Sequence, residues 1–149
     1  KGNVEACFIG HLHDEHLKMI KEMHMEEFVV TTGYLDHHRC VEYLMESSVL
    51  WLMLNNDSQS PGKLYEYFGA RKPILACIHD GFLKQAIEEA EAGIIVQPDD
   101  VDGIAKALAE YYRQFKQQKL PRPNEEVIKK YDRVDLTEEL SKIFGFLAE

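Results

Sequence analysis

Apolar and polar positions along the chain switch repeatedly between a period of two and a period near 3.6, so strands and helices alternate. Val4 to Ile9 reads as a first strand closed by Gly10, and Asp14 starts a helix with Leu17, Ile20 and Met23 on one face. Phe28 to Thr32 is a second strand ending at Gly33, after which Asp36 can cap a helix that buries Cys40, Val41, Leu44 and Met45. Val49 to Leu54 is apolar on both faces and predicts a strand buried in a parallel sheet with no wet side. A polar loop follows; Pro61 and Gly62 open a short helix, and Pro73 ends it by forcing the preceding residue out of the helical region.

Pro73 to Ile78 is the fourth strand, and the turn His79-Asp80-Gly81 leads to a helix aligning Leu83, Ala86, Ile87 and Ala90. Ile94 to Val96 is a short fifth strand introduced by Gly93. A long helix then carries Val101, Ile104, Ala105, Leu108, Tyr111, Tyr112 and Phe115 at spacings of three and four. Pro121 and Pro123 break it, a shorter helix runs from Glu125 to Tyr131, and Asp135 with Glu138 forms a capping box for a last helix bearing Leu136, Leu140, Ile143, Phe144 and Leu147. About five parallel strands alternating with helices define an α/β class: a three-layer, doubly wound, Rossmann-like single domain over 1–149 with a helical carboxy-terminal tail. Ligand in such a sheet lies at the carboxyl ends of the strands, so the loops at Gly10 to His13, Gly33 to Asp36, Asn55 to Gly62 and His79 to Gly81 should line one edge.

Composition narrows the partners. A chain of 149 residues with 45% hydrophobic content can bury its own core, and a formal charge of −9 argues against a nucleic-acid surface. The longest apolar run, Val49 to Leu54, is far too short to span a bilayer, and Lys1-Gly2-Asn3 begins no signal-peptide core, so the domain reads as soluble. Cys7, Cys40 and Cys77 are odd in number and two of them fall in predicted strands, the pattern of buried reduced thiols in a cytoplasmic protein; no disulfide is expected. His11, His13 and His16 beside Asp14 and Glu15 lack a matched second ligand pair, and Cys40, near His37 and His38, falls on a core face. No metal site is expected from either group.

The candidate chemistry centres on the helix after Pro61. Lys63 in its first turn opposes the helix dipole, which an anion would reverse, and Glu66 sits among Leu64, Tyr65, Tyr67, Phe68 and Ala70, where a carboxylate needs a partner. A polyhydroxylated ligand carrying phosphates would answer both; the structural alternatives are a plain surface lysine and a Glu66 ion pair with Arg71 or Lys72.

Gly62-Lys63-Leu64-Tyr65-Glu66-Tyr67-Phe68-Gly69-Ala70-Arg71-Lys72-Pro73-Ile74-Leu75-Ala76 resembles the donor-binding signature of two-domain (GT-B) glycosyltransferases of the large retaining group, the glycosyl transferases group 1 or family 4-like enzymes that make lipopolysaccharide, capsule and glycolipids. The likeness extends to Gly33-Tyr34-Leu35, to Gly93-Ile94-Ile95-Val96 and to the helix start at Asp99-Asp100, and so covers most of the chain. It implies a domain that binds a nucleotide-sugar donor as substrate, with no cofactor and no bound metal, for hexosyl transfer in polysaccharide biosynthesis. The diphosphate would meet the amides of Gly62, Lys63 and Leu64, the ribose hydroxyls Glu66, and the base the backbone at Tyr34 and Leu35, with Gly10 near the nucleotide. A Glu that related enzymes often carry eight positions before the ribose-binding one, against the transferred sugar, is Ser58 here, next to Asp57.

The resemblance also implies a fragment without its first strand-helix unit and without the amino-terminal acceptor domain, inactive alone, with any membrane association peripheral and made only through the full-length enzyme. The lost strand would have stood between the strands at Val4 and Val49; closure of the gap predicts a direct ladder between those two and the order two-one-three-four-five. It implies too that Phe146 and part of the Leu140, Phe144 and Leu147 face stay open or meet another copy. The alternative is a flavodoxin-like nucleotide- or partner-binding module without transferase activity. A receiver would need paired acidic residues where Gly10-His11-Leu12-His13 stands, and no Gly-X-Gly-X-X-Gly follows any strand.

Overall fold

Each of the five predicted strands forms, and helices separate them, in the computed structural model, which describes residues 4–54 and 62–147. The chain divides into two compact units, Lys1–Glu46 and Ser47–Glu149.

In the first unit, β1 (Ala6–Phe8) and β2 (Val29–Thr31) pair in parallel across α1 (Asp14–Glu22), with Ala6 opposite Val29 and Phe8 opposite Thr31. α2 (His37–Glu46) follows. Its start is capped as expected: Asp36 Oδ1 accepts the Arg39 amide at 3.1 Å, and that N–H holds the carboxyl below its ordinary range. The expected core face of α2 is only partly realised, because Leu44 is buried and Cys40 half-buried while Val41 and Met45 stay exposed. Cys7 is exposed as well, against the expectation of a buried thiol, because it stands on the opposite face of β1 from half-buried Ala6 and Phe8.

The second unit holds β3 (Leu50–Met53), β4 (Ile74–Cys77) and β5 (Gly93–Val96), all parallel and in that spatial order, with α3 (Gly62–Ala70) and α4 (Phe82–Glu89) as crossovers. The alternation of β4 separates two apolar layers. Ile74, Ala76 and Ile78 join Leu64, Phe68, Leu83, Ala86 and Ile87 beneath α3 and α4, whereas Leu75 and Cys77 meet Ala107 and Tyr111 of α5 (Val101–Lys116). This is the three-layer arrangement the alternation implies.

Two expectations need correction here. β3 has a wet side: Leu50 and Leu52 are buried, but Trp51 is 37% and Met53 52% exposed, because α5 packs on β4 and β5 and leaves its side of β3 uncovered. Within each unit the ladders join strands linked by a single crossover helix, β1 with β2 across α1 and β3 with β4 with β5 across α3 and α4. The last helix, α7 (Arg133–Leu147), starts earlier than the Asp135 capping box, with Asp132 Oδ1 accepting the Val134 amide at 2.8 Å.

Between α5 and α7, α6 (Glu125–Lys129) is capped by Asn124, whose Oδ1 accepts the Glu126 amide at 3.0 Å. Val127, Ile128 and Tyr131 pack the tail onto the α3 and α4 layer, with the Tyr131 ring centroid 5.4 Å from Phe68 and 5.8 Å from Tyr65. Leu140 and Phe144 of α7 are exposed, as expected, and Phe146 is 80% exposed.

Candidate functional site

The α3 start stands at the carboxyl end of β3, across a connection whose residues 55–61 lie outside the described ones; Ser58 and Asp57 fall there. The first amides of a helix have no partner within it, which makes helix starts in general favourable places for anions. Leu64 is wholly buried, and Phe68 and Ala70 are buried as well. Arg71 closes the helix with a φ of 55°, so the stop is made by a left-handed residue two positions before Pro73.

Lys63 and Glu66 meet each other. Lys63 Nζ donates to Glu66 Oε2 at 2.7 Å, with the side chains 55% and 35% exposed. The carboxylate on an apolar helix thus has its partner one turn back, and not at Arg71, which pairs with Glu125 at 3.4 Å. An exposed pair of this spacing contributes only about 0.2–0.5 kcal/mol, so a ligand able to satisfy both groups can displace it cheaply. One position further on, Tyr67 Oη donates to the Trp51 carbonyl at 3.1 Å and fastens α3 to β3. Burial pushes the Tyr67 hydroxyl up, Lys63 opposing and Glu66 reinforcing the shift.

The neighbouring strand ends carry polar groups of their own. His79, two residues past β4, places Nδ1 3.0 Å from Oε1 of Gln97, which directly follows β5. Asp80 accepts from Lys84 Nζ at 2.6 Å; that hydrogen bond lowers the carboxyl and raises the ammonium. The sequence marked the His79 turn as lining this edge but gave Gln97 no part, because Gln97 matters only once β5 lies beside β4.

In the first unit the structure brings Gly10 and Gly33 together. The Gly10 amide donates to the Gly33 carbonyl at 3.0 Å, and both residues have positive φ, 121° and 67°, a geometry that residues with a Cβ adopt at a cost. The clasp ties the loops after β1 and β2 and presents Tyr34, 84% exposed, directly beyond it; Leu35 is half-buried, with its carbonyl 3.8 Å from Cys40 Sγ. A shallow hollow of about 300 Å³ on this unit is lined by Leu17, Ile20, Lys21, Glu26, Val29 and Thr31, none of them a candidate residue.

Among the described residues no three His, Cys, Asp or Glu side chains converge as a metal cluster, although the His13 and His16 rings lie 6.0 Å apart. No helix among them is long and apolar enough to cross a membrane.

No curated protein sequence matches this chain. Two solved structures share its fold across 95% of its length: sucrose-phosphate synthase from Thermosynechococcus elongatus, with a TM-score of 0.75 and 14% identity, and Anabaena HepE in complex with UDP, with a TM-score of 0.72 and 14% identity. The chain spans 38% of the first and 41% of the second. The family model for glycosyl transferases group 1 matches residues 1–114. With that match over most of its length and the Rossmann-like fold of a carboxy-terminal GT-B domain, the chain belongs to the glycosyl transferases group 1 family.

Proposed function

We propose that this chain binds the nucleoside diphosphate of a sugar donor for glycosyl transfer in glycan, lipopolysaccharide or glycolipid synthesis. The observation that carries the reading is the α3 start, where Lys63 and Glu66 pair in the exposed part of the first turn of an otherwise core-packed helix, at the end where a helix dipole favours anions. The amides of Gly62, Lys63 and Leu64 take the diphosphate, Lys63 adds a charged contact, and Glu66 turns from Lys63 to the ribose hydroxyls. Gly10, Tyr34 and Leu35 are the base-side candidates, and Ser58 belongs to the sugar side. A family of glycosyl transferases and a fold neighbour solved in complex with UDP support the choice of ligand.

Calorimetry of the chain with UDP, GDP, ADP and inorganic pyrophosphate tests this. Glu66→Ala should weaken the nucleoside diphosphate by about tenfold, the scale of a hydrogen bond to a charged group, and leave pyrophosphate nearly unchanged. Equal losses for both would remove the ribose role.

A further inference from the structure

We propose that His79, held by Gln97, is a contact for a hydroxyl of the donated sugar. The inference rests on the nucleotide-sugar reading above and adds to it a residue outside the α3 helix.

The geometry decides what His79 can bind. With Gln97 Oε1 as the acceptor, the bond at 3.0 Å selects the tautomer that carries its hydrogen on Nδ1, and in that tautomer Nε2 is an acceptor. Among the described residues nothing partners Nε2. A phosphate oxygen offers no hydrogen to such an atom, whereas a sugar hydroxyl does. In that tautomer the ring favours the polyhydroxylated part of the ligand over its diphosphate.

Placement supports the same assignment. His79 follows β4 and Gln97 follows β5, while the α3 start follows β3; the three lie at the carboxyl edge of one parallel sheet, where ligands of doubly wound folds bind. The ring is also anchored to a separate strand end, so less side-chain freedom is lost when the contact forms. Asp80 does not compete for the role, because its carboxylate is engaged by Lys84 at 2.6 Å.

The test titrates the chain with UDP, GDP and ADP, and then with the glucose, galactose and N-acetylglucosamine esters of whichever diphosphate binds. The readout is the ratio of the sugar ester's affinity to that of the bare diphosphate. His79→Ala and Gln97→Ala should each lower this ratio about fivefold for at least one sugar, the scale of one neutral hydrogen bond, with the bare diphosphate unaffected. A ratio unchanged by His79→Ala for every sugar, or an equal loss for diphosphate and sugar ester, overturns the proposal and spares the nucleotide reading. Failure of the wild-type chain to bind any of the three diphosphates overturns both.

Discussion

Tyr111 shows how one side chain can complete a sheet. Its hydroxyl donates to the Ile74 carbonyl and accepts from the Ile94 amide, both at 2.8 Å, and so fills the mouth of the β4 and β5 ladder where Gly93 lies opposite Ile74. Gly93 is required there, because a Cβ would collide with the Ile74 carbonyl. Tyr111→Phe strands two backbone groups and should cost about 1–3 kcal/mol in chemical denaturation. Burial also pushes the Tyr111 hydroxyl from its ordinary value of 10.0 up to about 12. The folded state thus holds its proton more tightly than the unfolded one: the contribution is fully present below pH 10 and is lost as pH rises towards 12. Stability curves at alkaline pH should fall more steeply for the wild type than for Tyr111→Phe; parallel curves would contradict the assignment. The sequence placed Tyr111 on the apolar stripe of its helix but held no hint of the ladder bond, which depends on α5 crossing β4 and β5 together. Glu66 was legible for the opposite reason. Its need for a partner follows from the apolar residues beside it, while the choice of Lys63 over Arg71 follows from Arg71 leaving the helix at positive φ.

For single elements, existence and order were written in the apolar periodicity, and the buried face was not always. α5 carries two apolar rows. Ile104, Ala107 and Tyr111 meet the sheet, whereas Val101, Ala105, Leu108 and Phe115 are exposed. Both rows have helical spacing, so periodicity cannot rank them; what selects the first is that small Ala107 lets the helix approach Leu75 and Cys77 while Tyr111 reaches the ladder. Ala107→Leu should therefore overpack the layer and cost about 1–3 kcal/mol, while Ala105→Leu should stay within about 0.5 kcal/mol of wild type. Thermal melts of the two variants compare the faces directly, and equal losses would mean that the rows have been confused. The start of α7 was misread on similar grounds. Asp132 and Asp135 are both able to cap, and the earlier one wins because Asp132 also receives the Leu136 amide on its carbonyl at 3.0 Å.

Across the whole molecule, the two units differ sharply in what they bury. Phe68, Leu64, Ile74, Leu75, Ile78 and Ile87, all in the second unit, are among the largest fully buried side chains, while among the described residues of the first unit only Leu44 is buried and hydrophobic. Residue types foretold part of this, because the strands at Val4 and Val29 include Glu5, Thr31 and Thr32 while those at Leu50 and Ile74 are wholly apolar; the rest lies in β4 being a central strand packed on both faces. A two-stranded sheet is marginal by itself, so opening of the first unit should require far less than global unfolding. Amides at 6–8 and 29–31 should then exchange with solvent roughly two orders of magnitude faster than those at 74–77, whose ladder opens only with the core. The same experiment bears on function. If Gly10 and Tyr34 hold the base, adding whichever nucleoside diphosphate the chain binds should slow exchange around the Gly10 and Gly33 clasp, because a ligand that binds only the folded form stabilises it by mass action. Slowing confined to 62–66, with the clasp unchanged at saturating ligand, would limit the nucleotide contact to the α3 start and remove Tyr34 and Leu35 from the site.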